Sequence, residues 1–577
     1  MILQALVKHY EDLLEKGEIS RPGWGNVKVS FGLNLNKEGN VIDLLLLKVA
    51  NEKGKPLPRD MEVPQPVKRS MGVNPNFLCD NASYVLGVDE KGKPERTEQC
   101  FQAFCTLHEE LLKGAESEAA RAILLFLKKW EPNAATKHVW ITENWKGLTS
   151  GAAILLYYEG KPVTEDAEIR HRWQQHYDSA GTVQDGICMV TGNKDKIATL
   201  HPVIKGVYGA QAMGTSLVSY NAPAFCSYGK EQGSNASVGE YAAFAYGTAL
   251  NHLLNDREHV KSIGDTTVVC WVEGGDAAYQ DVGVAAMFGG NEDGAITSGE
   301  LKAILEKVCK GVPVEFAGQE LDTSKHFYIL GVAPNAARLS VRFFWQDSFG
   351  SILKNIAVHY ERLEIVKPAY DKTEILSAWR LLYETVNKNA KEKTPASQMA
   401  ADTLKAILTG GTYPDSLLNG VMLRIRAEKE VTKGRAAILK AYYLRNSNPN
   451  CPKEVLQMGL NEESTNVPYT LGRLFAVLEH IQQEANPGIN ATIKDKYFSS
   501  AASTPAHIFP LLINLSQKHL RKLGNEGIRI SFNKQLGSIM EKLEQGFPAR
   551  MTLPEQGSFY LGYYHQTQKR FEKKEEK

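Results

Sequence analysis

Net charge is almost absent from this 577-residue chain: 67 Lys and Arg face 66 Asp and Glu, a formal balance of +1. A protein that coats nucleic acid through bulk charge is therefore excluded, and any nucleic-acid site has to be a local patch. Long apolar runs are missing too. The longest, such as 122–127 and 44–47, fall far short of the roughly 18 residues that a membrane span needs. The opening residues, Met1 to Tyr10, have neither the basic region nor the small-residue cleavage site of a signal peptide. The expectation is a soluble, cytoplasmic chain with no membrane partner.

Recognisable catalytic signatures are lacking as well. There is no G-x-x-x-x-G-K-[ST], no H-E-x-x-H, no G-x-S-x-G and no kinase set. His108, His252, His326 and His359 stand apart from obvious acidic or Cys partners, and a lone His252 beside an apolar helix reads as a core or capping residue. Acidic residues are scattered rather than paired as two-metal nucleases pair them. The eight cysteines form no C-x-x-C, which suits reduced, mostly buried thiols. Cys100, Cys105 and His108 form the one cluster, but i and i+5 lie roughly 140° apart on a helix, so core packing is expected and not zinc. The reading is a non-enzyme with no metal and no cofactor.

What is present is an ordinary globular composition, 43% hydrophobic and 9% aromatic, long enough for two to four domains. Up to about residue 360 the pattern is mixed. Runs rich in β-branched and aromatic residues at 27–33, 41–49, 138–142, 266–272, 327–332 and 339–345 predict strands. Helical spacing at 98–113 and 119–129 predicts helices between them, and 241–254, apolar nearly all round, predicts a buried one. Gly, Pro and Asn make 54–75 and 205–239 irregular. After about Leu363 strand signals nearly vanish. Leu471, Leu474, Phe475, Leu478 and Ile481 form one apolar stripe, and Phe532, Leu536, Ile539, Met540 and Leu543 another. The fold class is α+β: a mixed α/β N-terminal region followed by an all-α helical bundle.

Two segments carry the functional signal. Residues 206–239 hold six glycines with many uncharged hydrogen-bonding side chains, among them Gln211, Asn221, Tyr228, Gln232 and Asn235, beside Lys230. Residues 68–87 place Lys68 and Arg69 just before Asn74, Asn76 and Asn81. Glycine lets backbone approach a groove closely, and amides can read base edges or bind phosphate; the alternative is loops packed on their own side chains. Basic residues also gather at 421–445, seven against two acidic: Arg424, Arg426, Lys429, Lys433, Arg435, Lys440 and Arg445. Such a helical face would suit a phosphate backbone, or be simply a solvated face. Lys518, Arg521 and Lys522 end a further helix, where the macrodipole alone favours cations.

Several long blocks then become recognisable in order: MILQALVKHYE, NPNFLCDNASYVLG, GAQAMGTSLVSYNAPAFCSYGKEQGSNA with AAFAYGTALNHLL, LGVAPNAARLSVRFFW, LGRLFAVLEHIQQEANPGINATIKDKYFSSAASTPAHIFP and LPEQGSFYLGYYHQ. With them the chain resembles the large subunit of the type I-C CRISPR Cascade surveillance complex. The AQAMGTS stretch is less Ser-rich than that family, which leaves the role of Met213 open. The resemblance implies a non-catalytic, antiviral-defence subunit of a ribonucleoprotein complex. It would recognise a protospacer-adjacent motif in double-stranded target DNA, aid duplex opening and R-loop formation, and allow a helicase-nuclease to be recruited. Its implied partners are guide RNA, the other Cascade backbone subunits and a small subunit translated from an internal start. Met458 is the candidate start, giving regions 1–360, 361–457 and 458–577. Arg473, Lys494, Lys496, Lys518 and Arg521 would then hold displaced single-stranded DNA.

On this reading the motif is met by Lys68, Arg69, Asn74, Asn76 and Asn81 together with the 206–239 loop, where Tyr228 could wedge against a base pair while Tyr220 and Phe225 pack in the core. Arg338 and Arg342, i and i+4 in a strand, would share a face toward RNA or a neighbouring subunit. Arg424, Arg426, Lys433 and Arg435 would handle strands. The competing expectations are a nucleic-acid-cleaving enzyme and a purely structural assembly subunit.

Overall fold

Regular structure follows the change of texture along the chain, with sheets and helices mixed in the first part and almost only helices after Leu363. The computed structural model describes residues 1–571 except 51–55, 68, 70–71, 91–93, 180–184, 291–294, 369, 372–374, 392 and 545. It forms two compact units. One consists of 1–9, 201–219 and 249–577, the other of 10–200 and 220–248. The fold class is α+β, as the sequence predicts. Among the described residues no helix is long and apolar enough to cross a membrane.

The unit of 10–200 and 220–248 is built on the strand Trp24–Leu35. It pairs antiparallel with Pro56–Pro64 and Val41–Leu46 and parallel with Ala153–Tyr158. From Val29 onward this strand is buried at nearly every position, on both faces. Gly32 is required there, because a Cβ would lie 2.9 Å from the Tyr157 ring. Two expectations fail. Residues 138–142 open a helix, Val139–Thr149, and not a strand: the run of Val, Trp, Ile and Thr looks extended, but Ile141 and Leu148 are its buried residues, seven apart, and that is helical spacing. Conversely, Pro56–Pro64 is a strand inside a stretch read as irregular. Pro56 and Pro58 fall in its first three residues and Pro64 is its last, so its prolines crowd the ends, where a strand best tolerates them.

The other unit holds a six-stranded sheet ordered Val203–Ile204, Thr215–Ser216, Arg338–Ser348, His326–Asn335, Thr266–Val272, Lys261–Ile263. Thr266–Val272 is buried at all seven positions. Val268, Cys270, Phe327 and Ile329 share one core with the helices Ala277–Phe288, Ser298–Lys310 and Phe349–Leu363. On the opposite face Trp271 stacks on Tyr328 at 5.3 Å, with His9 at 5.8 Å. His252 is exposed, contrary to the expectation of a core or capping role.

The helical bundle continues the same core. The stripe predicted from Leu471 to Ile481 lies in the helix Val467–Ala485 and is wholly buried. The second stripe is only half buried: Phe532, Ile539 and Leu543 are inside, whereas Met540 is exposed. Val467–Ala485 packs along Leu553–Lys569 with backbones nearly touching. A Cβ at Gly472 would lie 2.0 Å from Phe559 O, and one at Gly562 would lie 2.1 Å from Tyr469 O. This close approach lets Phe475, Phe559 and Tyr563 interlock with Phe498. Replacing Gly562 with Ala forces the helices apart and should cost about 2–4 kcal/mol. Native hydrogen exchange should then show amides of both helices losing on the order of 30- to 1000-fold protection.

Candidate nucleic-acid interface

The first segment singled out in the sequence is organised around a residue that sequence reasoning passed over. Asp80 is buried at the end of a short strand, beside Ile154. Its Oδ1 accepts from the Asn81 N–H (2.8 Å) and its Oδ2 from the Asn76 N–H (2.8 Å). Both oxygens also accept from the Arg69 guanidinium, one of them at 2.9 Å. Arg69 further donates Nε–H to the Asn74 carbonyl (2.6 Å) and lies 4.1 Å over the Tyr84 ring. Burial works against its charge, but the Asp80 carboxylate outweighs that and raises the guanidinium pKa above its ordinary value.

The asparagines divide by role. The Asn76 side chain accepts from the Val67 N–H (3.0 Å), and Asn81 caps the short helix Ala82–Val85 by accepting from the Ser83 N–H (3.0 Å). Asn74 is the exposed one. Lys68 lies outside the described residues. The only sequence sign of Asp80 is its place between Cys79 and Asn81 at the end of a short apolar run.

Next to this hub Leu78 has a left-handed backbone, φ 64°. Its N–H donates to His108 Nε2 (3.0 Å), and its carbonyl accepts from the Leu156 N–H (3.1 Å). His108 Nδ1 is bonded to the Phe104 carbonyl (2.7 Å), so both ring nitrogens serve the chain's own backbone.

The glycine-rich segment falls into both units, 206–219 in one and 220–239 in the other. In the first, Gln211 is exposed, and its carbonyl accepts from the Gly214 N–H (2.8 Å). Gly214 has φ 90°, and a Cβ there would lie 2.3 Å from Val203, so only glycine fits. In the second, Asn221, Lys230 and Gln232 are exposed and Tyr228 is 98% exposed. Asn235 is turned inward: its Oδ1 accepts from the Ser227 N–H (3.0 Å), and its Nδ2 donates to the Lys230 (3.2 Å) and Gln232 (3.0 Å) carbonyls. Tyr220 is half-buried and Phe225 exposed, so the expected core role for this pair is not met.

The basic cluster at 421–445 is largely engaged within the protein: Arg435 and Lys440 are buried, Arg424, Lys429, Lys433 and Arg445 half-buried, and Arg426 exposed. Gly434 to Tyr443 are all buried in the helix Lys433–Arg445. Arg435 is fully buried, paired with Glu428 and with Glu384 (3.4 Å), and donates to the Glu430 carbonyl (2.9 Å). Lys433 pairs with Asp371 (2.9 Å), Arg424 sits 3.7 Å from Glu428, and Arg426 bonds Gln556 (2.7 Å). Lys440 donates to the Arg362 carbonyl (3.0 Å), and burial lowers its pKa. These cations hold helices together.

Arg473 is likewise buried, bonded to Gln566 and to the carbonyls of Asn461 and Glu462. Arg342 pairs with Asp265 (2.6 Å) at a bulge where Gly331 and Val332 face Phe343 and Val341. The strict alternation that would place it on one face with Arg338 is interrupted there. Lys494 lies over the rings of Tyr563 (5.2 Å) and Phe498 (5.9 Å).

Lys496, Lys518 and Arg521 are exposed. The helix Pro505–Lys522 contains no acidic residue, and its exposed positions, including His507, Asn514, Lys518, Arg521 and Lys522, recur at helical spacing along one face. Among the described residues no group of three or more His, Cys, Asp or Glu side chains is arranged to hold a metal ion.

The family model described as CRISPR-associated protein (Cas_Csd1) matches residues 6–571, nearly the whole chain. The chain belongs to this family. That membership is consistent with the resemblance, drawn from the sequence, to the large subunit of the type I-C Cascade. A search of the curated proteins finds no match.

His108 gives this member of the Cas_Csd1 family a pH dependence. Burial pushes its pKa down to about 4, with the Phe104 carbonyl pulling the other way. A free imidazole titrates near 6.5, so the stability held by the neutral ring is complete above about pH 6.5 and is lost as pH falls through about 4. Hydrogen exchange at the Leu78 amide, corrected for intrinsic rate, should lose protection across that window.

Proposed function

We propose that the chain is a non-catalytic DNA-recognition subunit of a CRISPR guide-RNA complex. It reads a short protospacer-adjacent motif in double-stranded DNA, helps to open the duplex for R-loop formation, and leaves cleavage to a recruited helicase-nuclease. The observation that carries the reading is the fully exposed Tyr228, held with Lys230 and Gln232 at the tip of a loop whose base is bonded to its own backbone. An aromatic tip beside uncharged amides suits insertion at a base step and tolerant readout of a short motif, more than bulk phosphate binding. Asn74, displayed from the Asp80 hub, is the second candidate contact. Guide RNA, the other Cascade backbone subunits and the small subunit are the partners on this reading, and the cytoplasm is its place.

The measurement is duplex binding by the reconstituted guide complex, with the target held constant and three flanking base pairs randomised. One or a few flanks should be enriched, and replacing Asn74 and Asn76 with Ala should abolish that enrichment while the complex still assembles. Equal binding to every flank would leave the chain as a structural subunit. Cutting by the chain alone would make it an enzyme.

The acid-free face of Pro505–Lys522 is the surface we assign to displaced single-stranded DNA, through Lys518 and Arg521 with Lys496 nearby in sequence. A separate product starting at Met458 would carry that face. Met458 is exposed, in an irregular stretch before Val467–Ala485. Changing Met458 to Leu in the gene should remove a C-terminal product spanning 458–577 and leave the full chain at its normal level. Persistence of that product would exclude this start.

A further inference from the structure

The loop that ends in Tyr228 is strained in a way that its own tip does not explain. Ser227 to Lys230 form a turn closed by the Lys230 N–H on the Ser227 carbonyl (3.0 Å). Its two central residues, Tyr228 and Gly229, have φ values of 56° and 69°. Both are left-handed, a geometry usually filled by Asn-Gly or Gly-Gly; a tyrosine pays for it without packing against anything, since its ring is almost fully solvated. Gln232, also exposed, repeats the left-handed backbone at φ 45°. Strain of this kind persists only when surrounding groups over-determine it.

Those groups are identifiable. Gly233 donates its N–H to the Thr199 carbonyl (3.0 Å), and a Cβ on it would lie 1.9 Å from Ala198 O, so the base of the loop is backbone against backbone. Above that base, the Asn235 side chain hydrogen-bonds the backbone on both sides of the tip: Ser227 before it, Lys230 and Gln232 after it. One acceptor and two donors are engaged, a combination that no other side chain of that size except an amide supplies.

We propose that Asn235 is a positioning residue: it does not touch DNA, as its sequence context suggests, but holds Tyr228 outward as a preformed aromatic probe for a base step of duplex DNA. The proposal rests on the DNA-recognition reading above. A probe fixed before contact enters the duplex without first being ordered, which is where preorganisation raises affinity and rate.

The test uses the assembled guide complex and a target carrying 2-aminopurine at the first base pair inside the flank, so that fluorescence reports opening. A second target has the same segment already mismatched. Tyr228→Ala should slow opening of the paired target by at least roughly tenfold, the scale of one aromatic–base stack. Asn235→Ala should do the same, and Asn235→Asp, which keeps the bond to Ser227 but loses both donors, should fall between it and the unmodified complex. On the mismatched target all should open at the unmodified rate. The double variant Tyr228→Ala/Asn235→Ala should be no slower than Tyr228→Ala alone, because the two act through one contact.

Multiplying defects in the double variant, or normal opening with Asn235→Ala, would overturn the proposal. Should Asn235→Ala fail to assemble, normal opening by Asn235→Asp would overturn it equally. Normal opening with Tyr228→Ala in a complex that still discriminates flanks would remove the probe and keep the DNA-recognition reading. Loss of all flank discrimination in the unmodified complex would remove that reading first.

Discussion

A backbone that leaves helix and sheet must still find partners for its N–H and carbonyl groups, and in this chain polar side chains supply them. Asp80 accepts the amides of Asn76 and Asn81, His108 that of Leu78, Asn76 that of Val67, and Asn235 that of Ser227. The residues that look most like readers of nucleic acid are therefore mostly occupied in shaping the loops. What those bonds leave exposed toward a ligand is Asn74, Tyr228, Lys230 and Gln232. The chemistry of the loop and the chemistry it presents are carried by different residues.

The same division runs through the bundle. Arg435, Lys440 and Arg473 are buried and bonded to carboxylates, amides or carbonyls of neighbouring helices. A buried cation is tolerated only when its partners replace the water it has lost, and once so matched it ties helix to helix. Pro505–Lys522 differs in carrying its cations on an exposed face with no acid in the helix to cancel them.

Periodicity made much of the fold legible. Val467–Ala485 lies where its apolar spacing places it, and Glu240–Asn255 and Thr266–Val272 lie where their apolar and β-branched composition places them. Composition misled at 138–142, where five residues were too few to separate two periods, and at Pro56–Pro64, where prolines hid a strand. The candidate site was legible as two segments but not residue by residue. Sequence spacing shows which amides and cations are close along the chain. It does not show that Asp80 takes four donors, that Asn235 faces inward, or that Lys433–Arg445 is buried nearly all round, since each depends on residues distant in sequence or on backbone direction.

The glycine contact between Val467–Ala485 and Leu553–Lys569 bears on the order in which the chain can become itself. Gly472 and Gly562 bring Val467–Ala485 and Leu553–Lys569 into direct backbone contact, with three further helices between them in sequence among the described residues. During synthesis the earlier helix emerges with its apolar stripe complete and its principal neighbour not yet made. It must wait, covered provisionally or by other surfaces, until the later helix leaves the ribosome. Closure of the bundle is thus a late event in the life of each molecule, and the seam between the two glycines is where it is completed.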